Sequence, residues 1–184
     1  MAYDAATETV VLFGGRISAG VLGDTWTWNG VTKTWTQRNP AASPSARSAP
    51  MAYDAATQTA VLFGGSGNGN ECFTDTWIWN GTTWVQQFPA SAPSARAGAS
   101  MAYDASLGEI LLFGGDANNI WEDSLNDTWT WNGSNWTEIY PASVPHNRYA
   151  FGMAYNPEYK AVLMFGGFSS GPALGDTWLL ALAP

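Results

Sequence analysis

Three arginines stand at matching places in the chain and are the residues best suited to grip a charged ligand. Arg47, Arg96 and Arg148 each precede a Met-Ala-Tyr segment by four or five residues. A guanidinium group can bind a carboxylate or a sulfate through two parallel hydrogen bonds. The same recurrence also fits a structural role, in which each arginine bonds Asp side chains or backbone carbonyls between repeat units. No arginine precedes Met1, so a symmetric set of four is not expected.

Residues found in only one repeat unit are the other binding candidates, because a residue shared by every unit more simply serves the fold. Trp121 lies outside the positions at which the other tryptophans recur, and Glu122 and Asp123 follow it. An aromatic beside carboxylates on a long loop is typical of a saccharide or peptide contact. The alternative is that Trp121 folds back onto the protein. Arg16 and Tyr149 complete the candidate binding set.

Few residues suit catalysis. His146 is the single histidine and Cys72 the single cysteine, which argues against histidine-rich metal centres, cysteine clusters and an internal disulfide. Glu122 and Asp123 are adjacent and point apart on an extended chain, so an acid/base pair would need a partner from elsewhere. We therefore predict no catalytic residue, no metal and no cofactor, and the sequence favours a protein that is not an enzyme.

Composition restricts the class of partner. The 184 residues carry a net charge of −8, with only seven Lys and Arg. Nucleic acid and anionic membranes both require dense positive charge, so neither is expected as a partner. The chain as given shows no signal peptide and no apolar run near the ~18 residues that span a bilayer. These features predict a soluble protein and leave its compartment open.

The elements that must position these residues are repeated strands. Met-Ala-Tyr starts at residues 1, 51, 101 and 153, a period typical of propeller blades. Runs rich in β-branched and aromatic residues, separated by turn signals, predict four antiparallel strands a unit and three in the last. We expect one all-β propeller domain, with blades of about 1–45, 46–94, 95–146 and 147–184. In the first unit the predicted strands are Met1–Asp4, Thr9–Gly15, Asp24–Asn29 and Thr34–Gln37, and in the last they are Phe151–Tyr155, Ala161–Gly167 and Asp176–Leu182.

The repeated motifs resemble those of kelch repeats. Each unit has an apolar strand that closes on Gly-Gly, a variable loop and an aromatic strand, and three units have a further tryptophan. The resemblance implies a β-propeller with the Met-Ala-Tyr strand innermost and the last tryptophan strand outermost, and it implies roles in binding. The motif residues are Gly14-Gly15, Gly64-Gly65, Gly114-Gly115 and Gly166-Gly167, with Trp35, Trp84 and Trp136.

Strand order predicts which face binds. In a meander, the loop after Gly-Gly and the linker to the next blade emerge on the same face. Long variable loops on a rigid scaffold commonly carry function, so binding is predicted on this face. The recurring tryptophans are expected to pack between blades, and the four recurring Asp to bond loop backbone N–H groups. The variable loops are 16–23, 66–74, 116–126 and 168–175, and the Asp are Asp24, Asp75, Asp127 and Asp176.

Three functions stay open at this point. The leading hypothesis is a non-catalytic module that binds a protein segment or a glycan through the Gly-Gly loop face. The alternatives are a saccharide-active lyase or hydrolase, and a purely structural or engineered self-assembling unit. Because each blade face needs a neighbour, four blades must close into a ring, belong to a longer propeller, or pair with a second copy in an eight-bladed homodimer.

Overall fold

The chain folds into four antiparallel β-sheets. The computed structural model describes residues 1–117 and 123–181. Those residues form no helix. None of them therefore belongs to a helix long and apolar enough to cross a membrane. Their strands are β1 (Ala2–Asp4), β2 (Thr9–Ile17), β3 (Gly20–Asn29), β4 (Thr34–Arg38), β5 (Met51–Asp54), β6 (Thr59–Phe63), β7 (Thr76–Trp79), β8 (Trp84–Gln87), β9 (Ser100–Asp104), β10 (Glu109–Asp116), β11 (Ser124–Trp131), β12 (Trp136–Ile139), β13 (Gly152–Asn156), β14 (Ala161–Phe165) and β15 (Thr177–Leu180).

Each sheet is a simple meander and forms one blade. The orders are β1-β2-β3-β4, β5-β6-β7-β8, β9-β10-β11-β12 and β13-β14-β15. The first strands contact one another in series, β1 with β5, β5 with β9 and β9 with β13. They therefore line the centre of the arrangement. The predicted all-β, four-bladed propeller with a three-stranded last blade is confirmed.

Two predicted loops are partly strand. In blade 1, Arg16 pairs with Val21 and Ile17 with Gly20, so β2 and β3 continue as a hairpin beyond Gly-Gly. Gly20 has a φ of 133°, which closes this two-residue turn. Blade 3 extends its second strand as far as Asp116. The variable loops predicted at 16–23 and 116–126 are therefore partly strand, and in blade 1 the β-branched Ile17 and Val21 favour the longer ladder.

The Gly-Gly motif is a bulge that turns the chain toward the neighbouring linker. In blade 3 the register shifts between Phe113 and Gly115, and Gly114 has a φ of 60°. A bulge of this kind needs a left-handed residue, which glycine supplies without strain. A Cβ on Gly114 would also lie 2.6 Å from the carbonyl oxygen of Arg148. Both the conformation and the close approach explain why glycine recurs here.

Tryptophans of the fourth strands hold neighbouring blades together. Trp136 packs edge-on against Phe63 of blade 2 at 5.2 Å between ring centroids. Its indole N–H donates to Thr76 Oγ1 at 2.9 Å. Trp84 repeats the arrangement on blade 1, where its indole donates to Thr25 Oγ1 at 2.9 Å. The role expected for the recurring tryptophans of the third strands was packing between blades, and it is confirmed for Trp79 and Trp131, which are buried in clusters with residues of the preceding blade.

The outer faces of the first and last blades are exposed. Trp35 is 47% exposed, whereas its counterparts Trp84 and Trp136 are at most 1% exposed. In blade 4, Phe165 is 56% exposed, while its counterparts in the other blades are at most 5% exposed. Thr177 is also exposed, although the equivalent threonines of the other blades are buried. The four blades thus form an arc with two uncovered ends.

Candidate functional site

Linkers between blades bind to the Gly-Gly loops and build one continuous face. Between blades 1 and 2, the backbone of Ser48 forms two hydrogen bonds of 2.9 Å with Ser66 of the blade 2 loop. The backbone carbonyl of the preceding residue, Arg47, accepts a hydrogen bond from the Gly15 N–H of blade 1 at 2.9 Å. Equivalent bridges join Ala97 with Asp116 and Tyr149 with Phe168. The predicted shared face of loops and linkers is therefore present, and extended chain segments already bind to it.

A buried arginine clamps each linker to the next blade. The Arg96 side chain is 1% exposed. Its Nη1 donates to Asp127 Oδ1 at 2.6 Å and its Nη2 to Asp127 Oδ2 at 2.7 Å. The same guanidinium donates to the carbonyl of Gly114 at 3.0 Å, and Nε donates to the carbonyl of Ser94 at 3.0 Å. This guanidinium is bidentate toward a carboxylate and is saturated with acceptors.

The other two arginines repeat the clamp. Arg47 bonds both carboxylate oxygens of Asp75 and lies 3.7 Å from the centroid of the Phe73 ring. Arg148 bonds Asp176 at 2.8 and 2.7 Å. Bonds to Asp and to backbone carbonyls, the partners expected for these arginines, are present. Each Asp, however, lies in the same predicted blade as its arginine (46–94, 95–146 or 147–184), so these pairs attach a linker to its own blade and do not bond one repeat unit to another. The role of the arginines in binding a ligand stays a prediction, and each guanidinium already has several acceptors.

Side-chain donors lower the pKa of two of the Asp partners, Asp127 and Asp176. Burial raises the pKa of Asp127, but the Arg96 hydrogen bond and charge and the indole N–H of Trp129 outweigh it, so its pKa lies below the usual range. The Arg148 hydrogen bond, followed by that from the Trp178 indole, depresses the pKa of Asp176. The sequence predicts loop backbone N–H groups as the main partners of these Asp side chains. The structure instead provides an indole and a guanidinium, because the carboxylate faces the linker.

Blade 1 has the same carboxylate without the arginine. Asp24 occupies the place of Asp75 and Asp127, and its Oδ2 accepts from the Trp26 indole at 2.6 Å. Its Oδ1 is buried and has no hydrogen-bond partner. In the filled clamps this oxygen receives Nη1 of the arginine. A buried carboxylate oxygen without a donor is costly, and Asp24 Oδ1 is such an oxygen.

Other predicted binding residues lie on the loop face but contact different loops. Arg16 Nη2 donates to Ser66 Oγ at 3.3 Å and to the carbonyl of Gly67 at 2.8 Å, which ties the loops of blades 1 and 2 together. Tyr149 stacks on Phe168 with ring centroids 5.9 Å apart. The Asp123 N–H donates to Asp116 Oδ2 at 3.1 Å in the blade 3 loop. These contacts shape the face and do not bring the three residues into one cluster.

Two further candidates, Trp121 and Glu122, lie outside the described residues.

His146 is exposed, and its carbonyl accepts from Arg148 Nε at 3.1 Å. Burial, and then the charge of Asp116, raises the pKa of the Cys72 thiol, which disfavours the reactive thiolate. In residues 1–117 and 123–181, no group of three or more His, Cys, Asp or Glu is arranged to hold a metal ion.

The exposed face of blade 1 also contains an apolar depression of about 380 Å³ lined by Leu12, Trp26 and Trp35. Trp26 therefore links this depression to the carboxylate of Asp24. The sequence did not predict this pairing of a depression with a carboxylate. The available signal was the recurrence of Asp24 with Asp75, Asp127 and Asp176, but recurrence alone does not show which groups contact them.

Comparison with known proteins provides no family for the chain. No protein-family model matches it, and no curated protein matches it. The kelch resemblance therefore rests on the motifs themselves.

Proposed function

We propose that the chain is a non-catalytic binding module whose Gly-Gly loop face binds an extended protein segment. A propeller is commonly a scaffold for binding. The observation that carries the proposal is the attachment of three linkers to this face through backbone hydrogen bonds, such as the pair of 2.9 Å bonds between Ser48 and Ser66. Pairing of this kind accepts many sequences, because backbone groups supply the hydrogen bonds.

The tryptophans packed between blades offer no platform for a sugar, because Trp79, Trp84, Trp131 and Trp136 are at most 2% exposed. On the loop face, Phe168 is 45% exposed, so a glycan stays the alternative ligand. We favour a peptide because backbone hydrogen bonds to chain segments are the contacts that this face already makes. The saccharide-active enzyme stays a prediction, since Glu122, on which it partly depends, is outside the described residues.

Selection of binders from a random peptide library, followed by amide hydrogen exchange, tests the proposal. We expect selected peptides to protect loop amides within 66–75 and to leave the opposite-face turn 80–83 unchanged. For such a peptide, Asn70→Tyr on the exposed loop should weaken binding at least tenfold. Thr82→Tyr, equally exposed on the opposite face, should change it less than twofold. Protection confined to the opposite face, or binding found only on a glycan array, would contradict the proposal.

A second candidate, self-assembly, is favoured by the two uncovered ends of the arc. Inside the chain, Trp84 packs on Phe13 at 5.3 Å and bonds Thr25. One uncovered end of the arc has Trp35, the counterpart of Trp84. The other end has Phe165 and Thr177, the counterparts of Phe13 and Thr25. None of these three residues has a partner from a neighbouring blade. Head-to-tail pairing of two copies would bring these groups together and complete an eight-bladed ring.

Light scattering on the native protein tests self-assembly. A chain of 19.7 kDa should give twice that mass if two copies pair. Phe165→Glu should then return the mass to that of a single chain, because a charge would be buried at the new interface. The matched control is Tyr159→Glu, at an exposed site in the 156–159 turn of the same blade. A single-chain mass at high protein concentration would refute pairing.

A further inference from the structure

We infer that a depression at the margin of the loop face on blade 3 binds the positively charged side chain of an arginine or lysine in the bound segment. The inference rests on the proposed function and identifies one residue type that the segment carries. The depression has a volume of about 240 Å³. It lies where β11 begins and β12 ends, because Thr128 pairs with Ile139 there. Its lining includes Asp127, Glu138, Tyr140, Pro141 and Val144.

Part of this lining occurs in blade 3 alone. Asp127, Thr128 and Pro141 recur at the same places of blades 1 and 2, the other blades with a fourth strand. Glu138, Tyr140 and Val144 do not recur. Their counterparts are Gln37 and Gln86 for Glu138, Asn39 and Phe88 for Tyr140, and Ser43 and Ala92 for Val144. A repeated residue serves the blade itself, so three departures that line one depression point to a ligand.

Glu138 gives the depression its net charge. The Asp127 carboxylate is paired with the buried guanidinium of Arg96, so these two groups are neutral together. Blade 2 has the same ion pair, between Arg47 and Asp75, but a neutral glutamine in the place of Glu138. Among the described residues that line the depression, none is Lys or Arg. The complementary ligand is therefore a cation.

Tyr140 orients the Glu138 carboxylate and offers an aromatic face. Its hydroxyl donates to Glu138 Oε2 at 2.8 Å, and this hydrogen bond, followed by the charge of Glu138, raises the pKa of Tyr140. The phenol therefore stays a neutral donor. An ionised carboxylate has further acceptor sites for a ligand N–H. The side chain of Tyr140 is 82% exposed, so a cation can also lie over its ring.

The apolar part of the lining favours a side chain over a small inorganic cation. Ile139, Pro141 and Val144 contribute to the depression, and Val144 is 41% exposed. Arginine and lysine have aliphatic stems that pack on such surfaces while the charged end stays at a carboxylate. A metal ion would gain nothing from these contacts, and one free carboxylate is a poor set of ligands for it.

Titration with the capped tripeptide acetyl-Ala-Arg-Ala-amide, followed by NMR of the backbone amides in the whole chain, tests the site. The control peptide has citrulline in place of arginine, which keeps the shape and removes the charge. We expect saturable shifts at 126–128 and 138–140 with the arginine peptide, and these should weaken with salt. The citrulline peptide should bind about tenfold more weakly, which corresponds to the loss of one charged contact.

Variants taken from the other blades identify the residues responsible. Glu138→Gln installs the residue of blades 1 and 2, which the fold accepts at this position, and should weaken binding about tenfold. Tyr140→Asn installs the residue of blade 1 and should weaken it about threefold. The matched control is Glu158→Gln, which removes the same charge from an exposed turn on the opposite face. It should change the affinity less than about twofold.

The outcomes separate this inference from the proposed function. Equal affinity for the arginine and citrulline peptides, or unchanged affinity in Glu138→Gln, overturns the cationic site. Shifts of the same size at 74–76 and 86–88 of blade 2 also overturn it, because that blade lacks the three residues. Library peptides without Arg or Lys that still protect 66–75 would overturn the cationic site alone and leave the proposed function intact. Arginine binding at blade 3 without any peptide that protects the loop face would support the site and overturn the proposed function.

Discussion

Arg96→Met should lower the free energy of unfolding by about 3–5 kcal/mol, the range measured when one member of a buried ion pair is removed. Arg96 is 1% exposed, and the change leaves the Asp127 carboxylate and the Gly114 carbonyl without their donors. A domain of this kind has only about 5–15 kcal/mol of stability in total. Urea unfolding followed by tryptophan fluorescence measures the loss.

Two comparisons separate the ion pair from other effects of substitution. Arg38→Met removes an exposed arginine with a single bond to Thr27 and should cost less than about 1 kcal/mol. Asp127→Asn should cost about 2–4 kcal/mol because it leaves Arg96 buried without a carboxylate. The equivalent Asp24→Asn should change stability by less than about 0.5 kcal/mol, since no cation is lost. Equal losses for the two Asp variants would refute the difference between the filled and unfilled clamps.

The repeat made much of the fold predictable from sequence. Glycine pairs, Asn-Gly turns and alternating aromatic residues each have a local physical cause, so their recurrence predicted the strand order and the face that carries the linkers. The hairpin through Arg16 and Val21 was missed because a stretch that varies between units was interpreted as a loop. Its strand conformation depends on local pairing in one blade, which comparison between units cannot reveal.

The site was less predictable because it depends on contacts between residues far apart in the sequence. Asp was an expected partner of the arginines, but repetition did not show which Asp each arginine bonds, since 31 residues separate Arg96 from Asp127. The exposure of Trp35 was also not predictable, because it has the same sequence surroundings as the buried Trp84. What differs is the presence of a neighbouring blade. Such differences between equivalent residues mark the surfaces that are available to a partner.

Trp136→Ala should lower the free energy of unfolding by about 3–5 kcal/mol, as large truncations in a core do. The side chain is 0% exposed, lies 5.3 Å from the Trp131 ring and bonds Thr76 across the interface. Trp136→Phe keeps most of the ring contact but removes the indole N–H, and should cost about 1–3 kcal/mol. Urea unfolding of both variants measures these values, and the Phe variant remains measurable if the Ala variant does not fold.

Trp35→Ala is the matched control, because Trp35 has the same strand position and a similar partner ring, Trp28 at 5.5 Å. With 47% of its side chain exposed, it should cost about 1 kcal/mol or less. The contrast with Trp136 isolates the contribution of a covering blade, since the local sequence and pairing are alike. A loss for Trp35→Ala as large as that for Trp136→Ala would contradict the open end of blade 1. If that loss also grew with protein concentration, it would show that a second copy covers Trp35.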